Sequence, residues 1–171
     1  MILWLVGLSG SGKTTIGKLV YSQLKETQPN TVFVDGDEIR ALFKHDDLKK
    51  DYSLEQRRKN AERIAEICLW LDRQDIHVVC CILCVFPDIL EQNRIVFKDY
   101  KEVYLRTPLA VLMERDTKDV YPSSTNVNPE NVVGVDIEFP EPRAPDLVLD
   151  TCGKDGGPEE LAARTCLALD Q

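Results

Sequence analysis

The sequence has no apolar stretch long enough to span a bilayer, no excess of positive charge and only two histidines. A membrane-spanning helix needs about 20 consecutive apolar residues, so the shorter apolar runs here predict buried strands instead. The net charge of −8 argues against a general nucleic-acid-binding protein, which normally has a basic face. The apolar start is also too short for a secretory leader. We therefore expect a cytoplasmic protein that binds neither membranes nor nucleic acid.

Zinc-type metal ligands are scarce as well. His45 and His77 have no ligand spacing to one another, and Cys81 and Cys84 form a C-x-x-C pair within the apolar run 78–84. Such a run is typical of a buried strand, whereas a structural zinc site needs a second ligand pair. We expect the six cysteines to act mainly as small apolar core residues.

The segment Gly7–Thr14 reads GLSGSGKT and fits the phosphate-loop pattern G-x-x-x-x-G-K-[ST]. Its glycines allow backbone conformations that turn successive N–H groups toward phosphate oxygens. Lys13 supplies a positive charge for the β- and γ-phosphates, and the Thr14 hydroxyl can ligate Mg²⁺. An apolar strand precedes the loop and an amphipathic helix follows it, so the context predicts nucleotide binding. The lack of an Asn/Thr-Lys-x-Asp motif argues against a switch GTPase.

Beyond this loop the chain alternates candidate strands and helices, which predicts an α/β fold with a parallel sheet covered by helices on both faces. The expected strands are Ile2–Val6, Val32–Asp35, His77–Leu83, Glu102–Leu105 and Leu147–Asp150. The expected helices run from Lys13 to about Lys25 and begin near Ser53, Pro87, Pro108 and Pro158. The length suits one domain, which we expect to include residues 1–171.

The stretch from Tyr121 to Pro145 interrupts this alternation. It is rich in proline, asparagine and serine and has no strong periodicity. A stretch of this length inside a compact domain is usually functional or disordered. Beside a nucleotide site it predicts a mobile lid, over about residues 121–145, that closes over the substrate and excludes water.

Two further groups of side chains could act on a second substrate. Asp35 and Asp37 follow the second expected strand, at the sheet edge where parallel α/β sheets bind ligands. They could orient an acceptor hydroxyl, take its proton or hold Mg²⁺-bound water; an acidic turn with a helix cap is the alternative. Arg57 and Asn60 share a helix face and suit a phosphate or sulfate group; an ordinary solvated helix face is the alternative.

Taken together, these residues resemble the adenylylsulfate kinase family, whose members use ATP to phosphorylate the 3′-hydroxyl of adenosine 5′-phosphosulfate. The resemblance covers nearly the whole chain. It is carried by GLSGSGKTT (7–15), DGDEIR (35–40), YS (52–53), EVYLRTPL (102–109), RD (115–116), KDVY (118–121) and APDLVLDT (144–151), together with Arg57, Asn60, Arg63, Asn131, Gly134 and Asp136. Many nucleotide-binding proteins share the phosphate loop, but its combination with DGDEIR and APDLVLDT is more specific.

The resemblance implies a P-loop, nucleoside-kinase-like fold with a five-stranded parallel sheet, Mg²⁺ as cofactor, ATP as donor, a small nucleotide-like acceptor and a homodimer. It implies that Asp35 and Lys13 are catalytic and that Thr14 ligates Mg²⁺. The implied ATP-binding residues are Gly7, Ser9, Gly10, Ser11, Gly12, Lys13, Thr14, Thr15 and Arg115. The implied acceptor-binding residues are Asp35, Asp37, Arg40, Tyr52, Arg57, Asn60 and Val132. Arg115 and Lys118 belong either to the lid hinge or to the adenine pocket of ATP.

Departures from the family are concentrated in the expected acceptor site, at Cys84–Phe86, where the family has Ser-Pro-Tyr, and in the expected lid. Where the family has Lys-Lys-Ala-Arg and then Lys-Asn-Phe-Thr-Gly, this chain has Pro122–Thr125 and Glu130–Gly134. Several cations are lost, and Val132 replaces the phenylalanine that would sandwich the acceptor's adenine. Since an aromatic stack contributes about 1–3 kcal/mol per base, we expect a changed acceptor preference.

Three functions therefore stay open. The acceptor is adenosine 5′-phosphosulfate, as in sulfate assimilation, or another nucleotide such as cytidine 5′-diphosphoramidate, as in capsule biosynthesis. The alternative of a different class is a nucleotide-binding regulatory protein that no longer transfers phosphate.

Overall fold

The structure is a computed structural model that describes residues 1–43, 51–116, 119–122, 130–153 and 155–169. Its sheet has five parallel strands in the order β2-β3-β1-β4-β5. The strands are β1 (Ile2–Val6), β2 (Thr31–Asp35), β3 (His77–Ile82), β4 (Tyr100–Arg106) and β5 (Leu147–Asp150). The predicted fold class and the five predicted strands are confirmed, with ends that differ by one or two residues.

The described part of the chain contains six helices, five between strands and one after β5. They are α1 (Lys13–Thr27), α2 (Gly36–Leu42), α3 (Leu54–Asp72), α4 (Pro87–Val96), α5 (Leu109–Arg115) and α6 (Pro158–Leu169). Helix α2 has only seven residues, too few for a clear apolar period, and the sequence pattern left it as the alternative of a capped acidic turn. None of the described helices has the length and apolar character needed to cross a bilayer.

Helices cover both faces of the sheet. Trp4 and Val6 of β1 pack in the core cluster that includes residues of α3 and α4, whereas Leu3 and Leu5 pack in the cluster that includes residues of α1 and α6. All five residues of β1 are therefore buried, which explains its unbroken apolar sequence. Four cysteines lie in this core, as predicted, and burial raises the pKa of the Cys84 thiol to about 12.

Part of the stretch predicted as a lid packs against the rest of the protein. Tyr121, Val132 and Val133 are buried, and the turn that follows contains an isolated bridge from Val133 to Ile137. Farther on, Asp146 accepts a hydrogen bond from the backbone N–H of Glu102 at 2.8 Å. Residues 123–129 of the predicted lid lie outside the described residues. The single domain and the lid's closing motion remain predictions.

Candidate functional site

The phosphate loop joins the end of β1 to the start of α1. Gly10 and Gly12 have φ angles of 76° and 94°, in the left-handed region that glycine adopts readily. Gly7 is required for another reason, since a Cβ atom there would lie 2.7 Å from the carbonyl oxygen of Leu105. No side chain caps α1 at Gly12, so the first N–H groups of this helix point into the loop, as in other anion sites at helix N-termini.

Several predicted ATP-binding side chains line this loop. Lys13 Nζ donates to the carbonyl oxygen of Leu8 at 2.6 Å, while the side chains of Thr14 and Thr15 belong to exposed residues. Ser11 is 1 % exposed, and its hydroxyl has no hydrogen-bond partner among the described residues. The loop therefore places a cation, a hydroxyl and a helix N-terminus at one edge of the sheet.

Asp35 lies at the end of β2 and contacts this loop, although β3 separates β2 from β1 in the sheet. One carboxylate oxygen, Oδ2, accepts a hydrogen bond from Thr14 Oγ1 at 2.8 Å. The other, Oδ1, accepts from the backbone N–H of Asp37 at 2.9 Å and caps α2. Asp35 is 8 % exposed, so these two contacts hold the carboxylate in a fixed position beside the phosphate loop.

The predicted acceptor residues on α2 and α3 lie on the far side of Asp35 from the loop. Asn60 is buried, and its Nδ2 donates to the carbonyl oxygen of Gly36 at 3.2 Å, which ties α3 to the start of α2. Its Oδ1 has no partner among the described residues. Asp37 is exposed and lies in the first turn of α2, next to the Asp35 cap, whereas Arg40 is half-buried and lies in the last turn of this helix.

Two guanidinium groups approach the ring of Tyr52. The Cζ atoms of Arg40 and Arg57 lie 5.2 and 5.5 Å from the ring centroid, within the range of a cation–π interaction. Arg57 also donates to two backbone carbonyl oxygens, those of Tyr52 and Asn131, each at 2.8 Å. Burial, together with the charge of Arg40, lowers the pKa of Arg57 below its usual value. This is a concentrated positive region suited to an anion.

Val132 occupies a different environment from these residues. It is 6 % exposed and packs in a small cluster with Leu112 and Tyr121. Its backbone belongs to a turn in which Asp136 accepts from the N–H groups of Asn131 and Val132 at 2.7 and 2.5 Å. The hydrogen bond from Arg57 to Asn131 thus links the backbone of this turn to the predicted acceptor residues. The Val132 side chain lies in the cluster instead.

Arg115 lies at the opposite end of the phosphate-loop edge, beside the end of β5. Its Nη1 donates to the carbonyl oxygen of Thr151 at 2.9 Å, and the hydroxyls of Thr107 and Thr151 form a hydrogen bond below it. This contact links the end of α5 to the segment that follows β5. Lys118, its partner in that prediction, lies outside the described residues.

Two features of this edge were missed by the sequence pattern. A cavity of about 500 Å³ lies between the phosphate loop and the turn at residues 131–137. Its lining includes Leu8, Arg106, Leu109 and Phe139. The hydroxyl of Tyr121 donates to the carbonyl oxygen of Ser9 at 2.7 Å. Tyr121 belongs to the KDVY segment of the resemblance, but nothing in that segment indicates a contact across 112 positions of sequence.

Comparisons with known proteins agree with this geometry. The family model described as adenylylsulphate kinase matches residues 1–150. The cytidine diphosphoramidate kinase of Campylobacter jejuni is 37 % identical over 151 residues, which are 88 % of this chain and 86 % of that protein. The probable adenylyl-sulfate kinase of Bacillus subtilis is 34 % identical over 152 residues, 88 % of this chain and 76 % of that protein.

Solved structures give the same result. The APS kinase of Mycobacterium tuberculosis in complex with AMPPNP and APS aligns with a TM-score of 0.83 and 28 % identity, over 99 % of this chain and 97 % of that one. The chain therefore belongs to the adenylylsulphate kinase family and is a phosphotransferase that acts on a hydroxyl group.

Proposed function

We propose that this protein transfers the γ-phosphoryl group of ATP to the 3′-hydroxyl of a nucleotide. The observation that carries the proposal is the 2.8 Å hydrogen bond between Thr14 and Asp35. It joins the last residue of the phosphate loop to a carboxylate at the end of β2, which β3 separates from β1 in the sheet. A phosphate on the loop and a hydroxyl held by Asp35 would then be neighbours, which is the arrangement that phosphoryl transfer requires.

The phosphate half of the site consists of the loop Gly7–Thr14. In this proposal the N–H groups of the loop and of the first turn of α1 bind the β- and γ-phosphates, and Ser9, Ser11 and Thr15 contribute hydroxyls. When ATP binds, Lys13 gives up its hydrogen bond to the carbonyl oxygen of Leu8 and donates to phosphate oxygens instead. There it stabilises the charge of the transferred group. Arg115 contacts the adenine.

Asp35 is the proposed partner of the acceptor hydroxyl. A carboxylate oxygen can accept more than one hydrogen bond, so the contacts with Thr14 and with the N–H of Asp37 leave Asp35 able to accept from a substrate hydroxyl. Those contacts also fix its orientation before the substrate binds. Asp35 then orients the attacking oxygen and accepts its proton as the new O–P bond forms.

Mg²⁺ fits the donors present. The Thr14 hydroxyl and the Asp35 carboxylate are adjacent oxygen ligands, and Mg²⁺ in phosphoryl-transfer sites is usually bound by one or two such groups together with substrate phosphates and water. Thr14 would hold the ion directly. Bound there, Mg²⁺ would neutralise charge on the β- and γ-phosphates. No group of three or more His, Cys, Asp and Glu side chains is placed for a metal among the described residues.

The acceptor half is formed by α2, the start of α3 and Tyr52. We propose that the ring of Tyr52 stacks on the acceptor base and that Arg40 and Arg57 bind its anionic 5′ group. Asp37, and Asn60 through the Oδ1 that has no partner among the described residues, would accept hydrogen bonds from the sugar hydroxyls. Two guanidinium groups within 5.5 Å of one ring favour an acceptor that combines an aromatic base with negative charge.

Two acceptors are consistent with this half. Adenosine 5′-phosphosulfate is the first, because it is the substrate that gives the family its name. Cytidine 5′-diphosphoramidate is the second, and the environment of Val132 favours it. Val132 is aliphatic and packs with Leu112 and Tyr121, so Tyr52 is the aromatic ring left for stacking. A smaller pyrimidine loses less from a missing second ring than a purine does.

A two-acceptor assay tests this proposal. The protein is incubated with Mg·ATP and either adenosine 5′-phosphosulfate or cytidine 5′-diphosphoramidate, and ADP and the phosphorylated product are quantified. Transfer to either one supports the kinase, and the ratio of kcat/KM values identifies the substrate. Equal turnover would overturn the claim that the turn around Val132 determines the choice. ATP binding without transfer to either acceptor would support the regulatory alternative.

Assembly and location are also proposals. The resemblance leads us to propose a homodimer, although one structural neighbour is a hexameric APS kinase from Thiobacillus denitrificans, whose 20 % identity shows the fold alone. Size-exclusion chromatography with light scattering distinguishes the two assemblies. We propose a cytoplasmic location, which fractionation of the native host would test.

A further inference from the structure

Tyr121 connects the turn Asn131–Ile137, which lies within the stretch predicted as a lid, to the phosphate loop. Its hydroxyl donates to the carbonyl oxygen of Ser9 at 2.7 Å, and Tyr121 is 1 % exposed. Ser9 lies in the middle of the loop, directly before Gly10 with its positive φ. The bond therefore fixes the direction of a carbonyl group in a segment whose N–H groups must face the opposite way to bind phosphate.

The ring of Tyr121 is held by its neighbours. It packs with Leu112 and Val132, and the side chains of Leu8 and Leu109 lie against this cluster. The N–H of Tyr121 donates to the carboxylate of Asp116 at 2.7 Å. Both the ring and its backbone are thus fixed independently of the hydroxyl, so the hydroxyl's bond to Ser9 is not needed to bury the residue.

The same cluster extends to the acceptor side of the site. Val132 belongs to the turn Asn131–Ile137, whose first two N–H groups donate to Asp136. Asn131 has a positive φ of 61°, and its carbonyl oxygen accepts from Arg57 Nη2 at 2.8 Å. A continuous path of contacts runs from Arg57 through the turn and Tyr121 to Ser9.

We infer that Tyr121 is a positioning residue for the phosphate loop and that the turn Asn131–Ile137 links it to the acceptor site. The inference rests on the proposed binding of ATP at this loop. Without the hydroxyl, the Ser9 carbonyl loses a partner and its peptide is free to rotate, which misdirects the N–H groups needed by the phosphates. An acceptor that draws Arg57 away from Asn131 breaks their hydrogen bond and so removes one of the contacts that hold the same turn.

The test compares Tyr121→Phe with Tyr104→Phe. Tyr104 is a matched control because its hydroxyl also makes one hydrogen bond, to Glu141 at 3.1 Å, but does not contact the loop. We measure the dissociation constant of a non-hydrolysable Mg·ATP analogue, the KM for ATP, kcat and the unfolding midpoint. Loss of the bond to the half-buried Ser9 carbonyl predicts about 10-fold weaker analogue binding for Tyr121→Phe, a raised KM for ATP and an unchanged control.

The outcomes separate this inference from the proposed function. If the unaltered protein does not bind the analogue, the proposed ATP site is wrong. If it binds, and Tyr121→Phe binds equally well, Tyr121 has only a packing role and the inference is overturned. A lower unfolding midpoint in Tyr121→Phe with unchanged analogue affinity gives the same negative answer.

A second variant tests the link through the turn. Asp136→Ala removes the acceptor of both turn N–H groups and leaves Tyr121 and Arg57 intact. If the turn supports Tyr121, this variant also weakens analogue binding several-fold. The loss of affinity in the double variant with Tyr121→Phe is then smaller than the product of the two single losses. Unchanged binding by Asp136→Ala, or strictly multiplicative effects, would overturn the link.

Discussion

The proposed phosphate half and the proposed acceptor half of the site are built in different ways. The phosphate half is one continuous segment, Gly7–Thr14, and its geometry comes from the backbone: two glycines with positive φ and an uncapped helix N-terminus. The acceptor half is assembled from side chains of separate segments, including Arg40, Tyr52 and Arg57. A backbone-defined site tolerates change poorly, whereas a site made of side chains can acquire a new substrate by a few substitutions.

Asp35 is the point at which the two halves meet. It contacts Thr14 on one side and caps α2, which carries Arg40, on the other. Variants of Asp35 should therefore affect chemistry more than the binding of either substrate, and variants within one half should affect mainly the KM of one substrate. Four predictions follow from this division.

Asp35→Asn has the largest expected effect on transfer. Asparagine retains the helix cap through its Oδ1, and its Nδ2 in place of Oδ2 can donate to Thr14 Oγ1, so the fold and ATP affinity should persist. The loss of the negative charge removes the proton acceptor, and kcat should fall by about 10²–10⁴-fold. Steady-state kinetics and analogue binding measure the two quantities. Glu38→Gln, an exposed position of α2, is the control and should retain activity. Full activity of Asp35→Asn would remove Asp35 from its assigned role.

Lys13→Ala tests the phosphate half. Removal of a fixed charge at the transferred group should lower kcat by about 10²–10³-fold and should also raise the KM for ATP. The KM for the acceptor should stay near the wild-type value. Lys18→Ala is a suitable control, since Lys18 lies on the same helix with its ammonium 5.9 Å from the Phe33 ring centroid. Equal losses in both variants would indicate a general effect of charge.

Tyr52→Leu tests the acceptor half. Loss of the ring removes the proposed stack and the contacts with Arg40 and Arg57, and the KM for the acceptor should rise by about 10-fold. Tyr52→Phe keeps the ring and should behave like the unaltered protein. In both variants the KM for ATP should be unchanged. A rise in the KM for ATP alone would place Tyr52 in the wrong half.

Glu102→Gln should have the smallest effect and should leave both halves intact. Glu102 lies on β4. Arg94 lies 3.4 Å from its carboxylate, and the hydroxyl of Tyr100 donates to this carboxylate at 3.0 Å. Burial raises the pKa of Glu102 above its usual value, although the charge of Arg94 opposes the shift.

The sign of the pH dependence follows from that shift. A raised carboxyl pKa favours folding most at acid pH, and this contribution is lost as pH rises through the folded-state pKa. Glu102→Gln should therefore gain stability relative to the unaltered protein between acid and neutral pH. Denaturant unfolding at several pH values measures this, with kinetic constants as the control. A stability difference that shrinks toward neutral pH would contradict the expected sign.

The local geometry of the phosphate loop follows from the sequence more directly than the contacts of the proposed acceptor residues do, for physical reasons. The eight residues Gly7–Thr14 are contiguous, so their spacing alone indicates the geometry. Helix α2 was left undecided because its stability comes from the Asp35 cap and not from an apolar period. The contact of Tyr121 with Ser9 and that of Arg57 with Asn131 join distant segments, and no local pattern encodes them. The burial of Val132 depends on Leu112 and Tyr121, which become its neighbours only in the fold.

The central claim is that Asp35 holds the attacking hydroxyl beside a phosphate bound on Gly7–Thr14. A crystal structure with ADP, Mg²⁺ and the preferred acceptor from the two-acceptor assay tests it most directly. The account predicts the acceptor's 3′-oxygen within hydrogen-bonding distance of an Asp35 carboxylate oxygen, on the side facing the β-phosphate of ADP. An acceptor whose ribose lies away from Asp35, with the carboxylate still bonded only to Thr14 and Asp37, would contradict it.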